Sequence, residues 1–159
     1  MKKIKDKLLN KELVIRIATT EDLISLSDLL RELFMIESDF TPNIRKQRQG
    51  LASLMNDQNA TMLVAVIRND IVGMCTLQPL ISTAEGGTVG MVEDLIVGEK
   101  WRGQGVGGLL LDAIEKIAME QNMSRLQLLT DKNNRQANEF YNKRDWSQTH
   151  MVVLRKKFD

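Results

Sequence analysis

Four glycines fall within six residues in Gly103-Gln104-Gly105-Val106-Gly107-Gly108, directly before an apolar stripe at helical spacing. A helix that begins on such a cluster begins on exposed main chain. Its first N–H groups have no intrahelical carbonyl to donate to, and the helix dipole adds about half a positive charge at that end. The turn is therefore built to receive an anion, phosphate above all, and glycine lets a diphosphate approach with no Cβ in the way. The residues on either side fix what the turn joins. Val89 to Val97 reads as a strand, and Val106, Leu110, Ala113, Ile114 and Ile117 form one apolar stripe on a helix from about Gly105 to Gln121.

The ligand is narrowed by what surrounds the glycines. No Gly-Lys-Ser/Thr follows, which excludes a P-loop nucleotidase. Gly103, Gly105 and Gly108 do satisfy G-x-G-x-x-G, and Asp131 closes the next strand where a dinucleotide site wants a ribose acid. Yet only 51 residues follow Gly108, enough for one more strand, helix and strand. Gly98 to Trp101 also separates the strand from Arg102, whereas a dinucleotide turn leaves its strand almost directly. A dinucleotide-binding oxidoreductase is the weaker reading of this turn.

The chain has 159 residues, the length of one domain, and no linker, repeat or low-complexity block divides it. Lys and Arg number 22 against 21 Asp and Glu, so no basic field points to nucleic acid as a partner. No apolar run approaches the roughly 20 residues of a membrane span, and no signal core follows Met1, so a soluble cytoplasmic protein without a membrane partner is expected. One cysteine, Cys75, and one histidine, His150, leave neither a disulfide nor a Cys/His cluster for a metal. Residues 1–11 carry five Lys and one Asp between Lys2 and Lys11 and read as a solvated, frayed basic end.

The rest of the chain falls into recognisable elements. Glu12 to Ala18 alternates as a half-buried strand, and Leu23, Leu26, Leu29, Leu30, Leu33 and Phe34 recur as a helix to about Glu37. Thr41-Pro42 predicts a second helix start, with its end near Asn56. Met62 to Arg68 and Ile71 to Leu80 are strands joined at Asn69-Asp70. Arg125 to Thr130 reads as a strand, Asn134 to Arg144 as a short helix and Trp146 to Arg155 as a final strand. The order β-αα-ββ-β-α-β-α-β describes an α/β (α+β) domain, a mostly antiparallel front half meeting one βαβ unit.

At this level of detail the chain resembles the GNAT superfamily of N-acetyltransferases, in a bacterial branch. Arg102-x-x-Gly105-x-Gly107 matches that family's acetyl-CoA diphosphate motif. Val92-Glu93-Asp94-Leu95-Ile96-Val97 looks like the strand before it, and Asn134-x-x-Ala137-x-x-x-Tyr141 is similar to a second family signature. One departure is Arg144-Asp145-Trp146, where the family usually has glycine before its aromatic. The resemblance implies a single domain over 1–159, with a mixed sheet of six to seven strands and about four helices. Splayed parallel strands would hold acetyl-CoA. The holding residues would be the backbone of Leu95, Ile96 and Val97, the turn of Arg102, Gly103, Gln104, Gly105, Val106, Gly107 and Gly108, and Asn134 and Tyr141. No metal is implied.

The implied chemistry is acetyl transfer to a primary amine of a small molecule, by direct attack in a ternary complex. Deprotonating an amine of pKa near 10.4 at pH 7 costs roughly 4.6 kcal/mol, so the reaction benefits from a carboxylate base, directly or through water. Glu93 and Asp94 are two acids inside an apolar strand, with Glu93 the first choice and Asp94 the second. Period-2 geometry sends Glu93, Leu95 and Val97 to one face and Asp94 and Ile96 to the other unless a bulge intervenes. Tyr141 has the spacing of a core aromatic, and the resemblance makes its hydroxyl the acid for the departing thiolate. Glu37, Asp39 and Phe40 lie between the first two helices, which border the acceptor site in the family, and suit a cationic amine. A CoA-binding module without catalysis is the alternative, and a homodimer is admitted. Cys75 reads as plain core.

Overall fold

The computed structural model describes residues 12–37 and 39–158; the basic stretch 1–11, expected to fray, lies outside them. The chain divides into two compact units, Met1–Leu129 and Thr130–Asp159. The first holds β1 (Leu13–Ile17), α1 (Leu23–Ile36), α2 (Ile44–Asn56), β2 (Thr61–Ile67), β3 (Asp70–Ser82), β4 (Gly87–Val97), α3 (Val106–Glu120) and β5 (Leu126–Leu128). The second holds α4 (Arg135–Asn142). No helix among the described residues is long and apolar enough to cross a membrane.

The five strands form one sheet in the order β1-β2-β3-β4-β5, antiparallel through β4, with β5 parallel to it. Helices cover both faces. Leu26, Leu29 and Leu30 of α1 and Leu51 of α2 pack with Met62, Val64, Met74 and Ile96 from three adjacent strands. Strand alternation turns the neighbours of these residues to the opposite face, where Gly73 lies under Leu110 of α3. The α3 stripe is buried at Val106, Leu110 and Ile114 as expected, with Leu111 and Ala118 completing it.

The fold class and the helix count follow the expectation, whereas among the described residues the sheet has five strands rather than six or seven. The missing strand is Trp146 to Arg155, which forms none. Met151, Val152 and Leu154 there are 87%, 82% and 92% exposed. Alternating apolar residues supply a strand's side chains, but only a neighbouring backbone supplies its hydrogen bonds. Other differences are local. The α2 helix starts at Ile44, because Asn43 rather than Thr41 caps it by accepting from Lys46 N–H at 3.1 Å. The β2–β3 turn is Arg68-Asn69, with Ile67 opposite Asp70 and Arg68 taking φ 58°.

In the second unit Asp145 stands at φ 63°, at the position where the resemblance leads one to expect glycine. Aspartate is among the few residues that tolerate this left-handed conformation. The turn is closed by Trp146 N–H donating to the Tyr141 carbonyl at 3.2 Å.

Candidate active site

The site begins with a register shift. Cys75 pairs with Leu95 and Leu77 with Val92, so Thr76 alone faces both Glu93 and Asp94. This is a β-bulge in β4, and it resets which face each later residue takes. Asp94 is turned to the buried side with Ile96, and Glu93 is left exposed. The Thr76 hydroxyl accepts from Asp94 N–H at 3.0 Å and donates to Asp94 Oδ2 at 3.4 Å. Burial pushes the Asp94 carboxyl up to about 7; the charge of Glu93 adds to this, the Thr76 hydrogen bond opposes it, and Glu37 raises it further. The bulge therefore carries one solvated carboxyl and one buried carboxyl that titrates near neutrality.

At the bulge β4 parts from β5 while it stays paired with β3. Its pairing with β5 covers only Gly90–Leu126, Met91–Gln127 and Val92–Leu128. From Glu93 to Val97 the β4 edge has no β5 partner among the described residues. Such an edge offers backbone donors and acceptors to an extended, amide-bearing ligand.

The free edge leads into the glycine turn. Arg102 Nε donates to the Val97 carbonyl at 2.8 Å, and its Nη2 reaches Glu32 Oε2 at 3.2 Å. The same Glu32 oxygen accepts from Glu99 N–H at 3.1 Å, so α1 pins the turn to the end of β4. Gly103 and Gly105 adopt φ 70° and 87°, and Gly105 precedes α3 as its cap. A Cβ at either would meet nothing within 4 Å, so the space over the turn is open. Leu109 N–H is the first in α3 to find a helical carbonyl, at Gly105, which leaves Val106, Gly107 and Gly108 to offer theirs outward. Gln104 is held by its own side chain, which donates to the Lys100 carbonyl at 2.8 Å. An open cradle of main-chain donors at a helix start fits the diphosphate of acetyl-CoA, and the free β4 edge fits its amide-bearing arm.

In the second unit Asn134 caps α4, accepting from Ala137 N–H at 3.0 Å. Tyr141 is half-buried and stacks edge-on with Phe140 at 5.2 Å, with Trp146 at 5.8 Å on a tilted ring plane.

Several expected site residues thus meet in the first unit. Glu93, Asp94 and Glu37 share one electrostatic neighbourhood, and Leu95 to Val97 lead through the short turn Glu99–Trp101 to Arg102 and the glycines. Phe40 packs on Phe34 at 5.2 Å and its N–H donates to the Glu37 carbonyl, which folds the α1–α2 connection on itself around Asp39. Sequence reasoning missed Thr76 and Glu32. Thr76 is the one hydroxyl in the apolar run Val72 to Leu77, a signal available but unused, while nothing local marks Glu32 as the partner of a turn 70 residues away. Cys75 is fully buried and its thiol is pushed well up by burial, so it is core, as expected. Among the described residues no group of three His, Cys, Asp or Glu could hold a metal.

Comparison with known proteins converges on the same architecture. The family model for the acetyltransferase (GNAT) family matches residues 23–146. An aminoalkylphosphonate N-acetyltransferase of Salmonella typhimurium is 30% identical over 136 residues, 86% of each chain. An uncharacterised N-acetyltransferase of Bacillus subtilis is 26% identical over 84% of this chain and 89% of its own. Among solved structures, an aminoglycoside acetyltransferase from a soil metagenomic sample superposes with TM-score 0.79 at 24% identity, covering 95% of this chain and 99% of that one. At that identity the likeness speaks for the fold alone, whereas the family match spans most of the chain. The protein belongs to the GNAT acetyltransferase family.

Proposed function

We propose that the protein is an acetyl-CoA-dependent N-acetyltransferase acting on a primary amine of a small molecule, by direct attack within a ternary complex. The observation that carries this reading is the junction at Val92, where β4 parts from β5 and runs as a free edge into a cradle of main-chain donors. Acetyl-CoA supplies the activated acetyl group as a thioester. The N–H groups of Val106, Gly107 and Gly108 hold its diphosphate, and Arg102, occupied by Val97 and Glu32, positions the turn. Backbone N–H groups of Leu95 to Val97 orient the arm and stabilise negative charge on the acetyl oxygen. Asn134, besides capping α4, also contacts the arm. Glu93, exposed on the bulge, takes the amine proton directly or through water, with Asp94 as the second acid. The Tyr141 hydroxyl returns a proton to the departing thiolate. Glu37, Asp39 and Phe40 border the acceptor, and the relative named for aminoalkylphosphonates supports a small amine.

A screen of primary amines, polyamines, amino acids and peptides for thiol release from acetyl-CoA tests the activity. Tyr141→Phe keeps the ring and should lower kcat about 10²–10⁴-fold with acetyl-CoA binding retained. Glu93→Gln should reduce the rate more than Asp94→Asn, and most at low pH. The reverse order would move the base to Asp94, and a screen in which no amine gives thiol release would overturn the assignment.

A further inference from the structure

Gln47 is the anomaly of the first unit. It sits in the first turn of α2, 7% exposed, and neither its Nε2 nor its Oε1 has a hydrogen-bond partner among the described residues. Folded cores pair or hydrate such an amide, since burying it bare is costly. Packing alone does not ask for glutamine here. One helical turn on, Leu51 fills the same buried face and packs with Met62, Met74 and Ile96. Thr76 is two residues from Met74 and Asp94 two from Ile96, so both belong to that side of the sheet. The α1–α2 connection that delivers Gln47 also brings Glu37 within electrostatic reach of Asp94. Gln47 is therefore a bare donor and acceptor on the helix-covered face that carries the buried acid of the bulge.

We propose that Gln47 is a specificity-determining residue, whose primary amide reads a hydrogen-bonding substituent of the acceptor other than the amine that takes the acetyl group. Both ends of the amide are unmet, so the matching group presents a donor and an acceptor side by side, as a vicinal diol does. A site that hydrogen-bonds such a group rejects the analogue that lacks it, because the buried amide is then left bare. The inference rests on the amine acetylation proposed above and adds to it a class of acceptor, small hydroxylated primary amines.

The test compares 3-amino-1,2-propanediol with 2-methylbutylamine, in which methyl groups replace both hydroxyls. The wild type should favour the diol in kcat/KM by about tenfold or more. Gln47→Leu should abolish that preference by raising KM for the diol, while the thermal shift produced by acetyl-CoA is unchanged. Gln47→Met, a flexible chain of similar length, repeats the measurement should Leu disturb packing. A wild type that turns over both amines without preference, or variants that keep the preference, would sink the role of Gln47. So would variants that lose stability and both activities in parallel, the mark of a structural water on the amide. Absence of thiol release with either amine and with the whole amine screen would instead remove the acetyltransferase reading, and this role with it.

Discussion

An aspartate buried at a bulge carries its charge at a cost that grows as the pH rises. Asp94 has its carboxyl pushed up to about 7 from an ordinary 3.8, first by burial and then by Glu93. Well below pH 4 the folded and unfolded chains both hold this proton and nothing is lost. Between about 4 and 7 the unfolded chain gives it up while the folded one keeps it, so stability falls across that interval and stays low above it. The full penalty is roughly 3 to 5 kcal/mol. Asp94→Asn should remove this slope, so its stability relative to wild type should rise from pH 4 to 7 and then level off. Urea unfolding of both proteins at pH 4.5 and 8 measures the difference. Asp22, held below the usual carboxylate range by Arg16 at 2.7 and 2.9 Å, contributes the opposite slope to both proteins and cancels. Equal differences at the two pH values would mean that Asp94 ionises like an exposed acid. That Glu93 and Asp94 turn to opposite faces of an apolar strand was legible in the sequence. Which of them faces solvent was not, because the answer depends on a bulge opposite Thr76, a partner 18 residues away.

At the scale of elements, the parting of β4 from β5 depends on a very short contact. The parallel pairing spans three residues, and Gly90 is where it starts. A Cβ on Gly90 would stand against Leu126 and within 2.6 Å of Leu77 Cδ1 and 2.9 Å of Met123 Sδ. All three are side-chain ends that can shift, but Leu77 is fully buried and has little room to do so. Gly90→Ala should therefore destabilise the protein by about 1–3 kcal/mol and weaken acetyl-CoA binding by loosening β5 on β4. Denaturant unfolding and calorimetric titration read the two effects. A variant as stable as wild type that binds acetyl-CoA as tightly would show that the junction tolerates repacking. The helices α1 and α3 were readable from their periodicity because burial on one face is a local pattern. The start of α2 lies two residues beyond the proline expected to open it, since the Asn43 side chain rather than the Thr41 hydroxyl reaches a first-turn N–H. The strand expected over Trp146 to Arg155 failed for a different reason: pairing is long-range, and no property of a single segment reveals whether a neighbour completes its ladder.

For the whole molecule, the family match runs from residue 23 to 146 and so crosses the boundary between Leu129 and Thr130. We infer from this that the chain works as one N-acetyltransferase domain, and ligand-linked stability tests the inference. A ligand that binds only the folded state at about 100 times its dissociation constant adds roughly 2.7 kcal/mol. For a chain of 159 residues that is a rise in Tm of several degrees. Acetyl-CoA should give this rise within a single transition, and NAD should give none. Gly105→Asp separates the contribution of the turn from that of the fold. Gly105 stands at φ 87°, so any side chain there is strained and the unliganded Tm should drop by a few degrees, an effect of about 1–2 kcal/mol. Nothing lies within 4 Å of the added Cβ, so the fold has no clash to relieve. The new carboxylate instead occupies the open space over the N–H groups of Val106 to Gly108 and repels a diphosphate. The variant should therefore unfold in one transition, slightly earlier, and lose the acetyl-CoA shift. Two transitions of which acetyl-CoA moves only one would divide the chain into independent parts. A shift with NAD and none with acetyl-CoA would return the glycine turn to the dinucleotide reading that its spacing also allows.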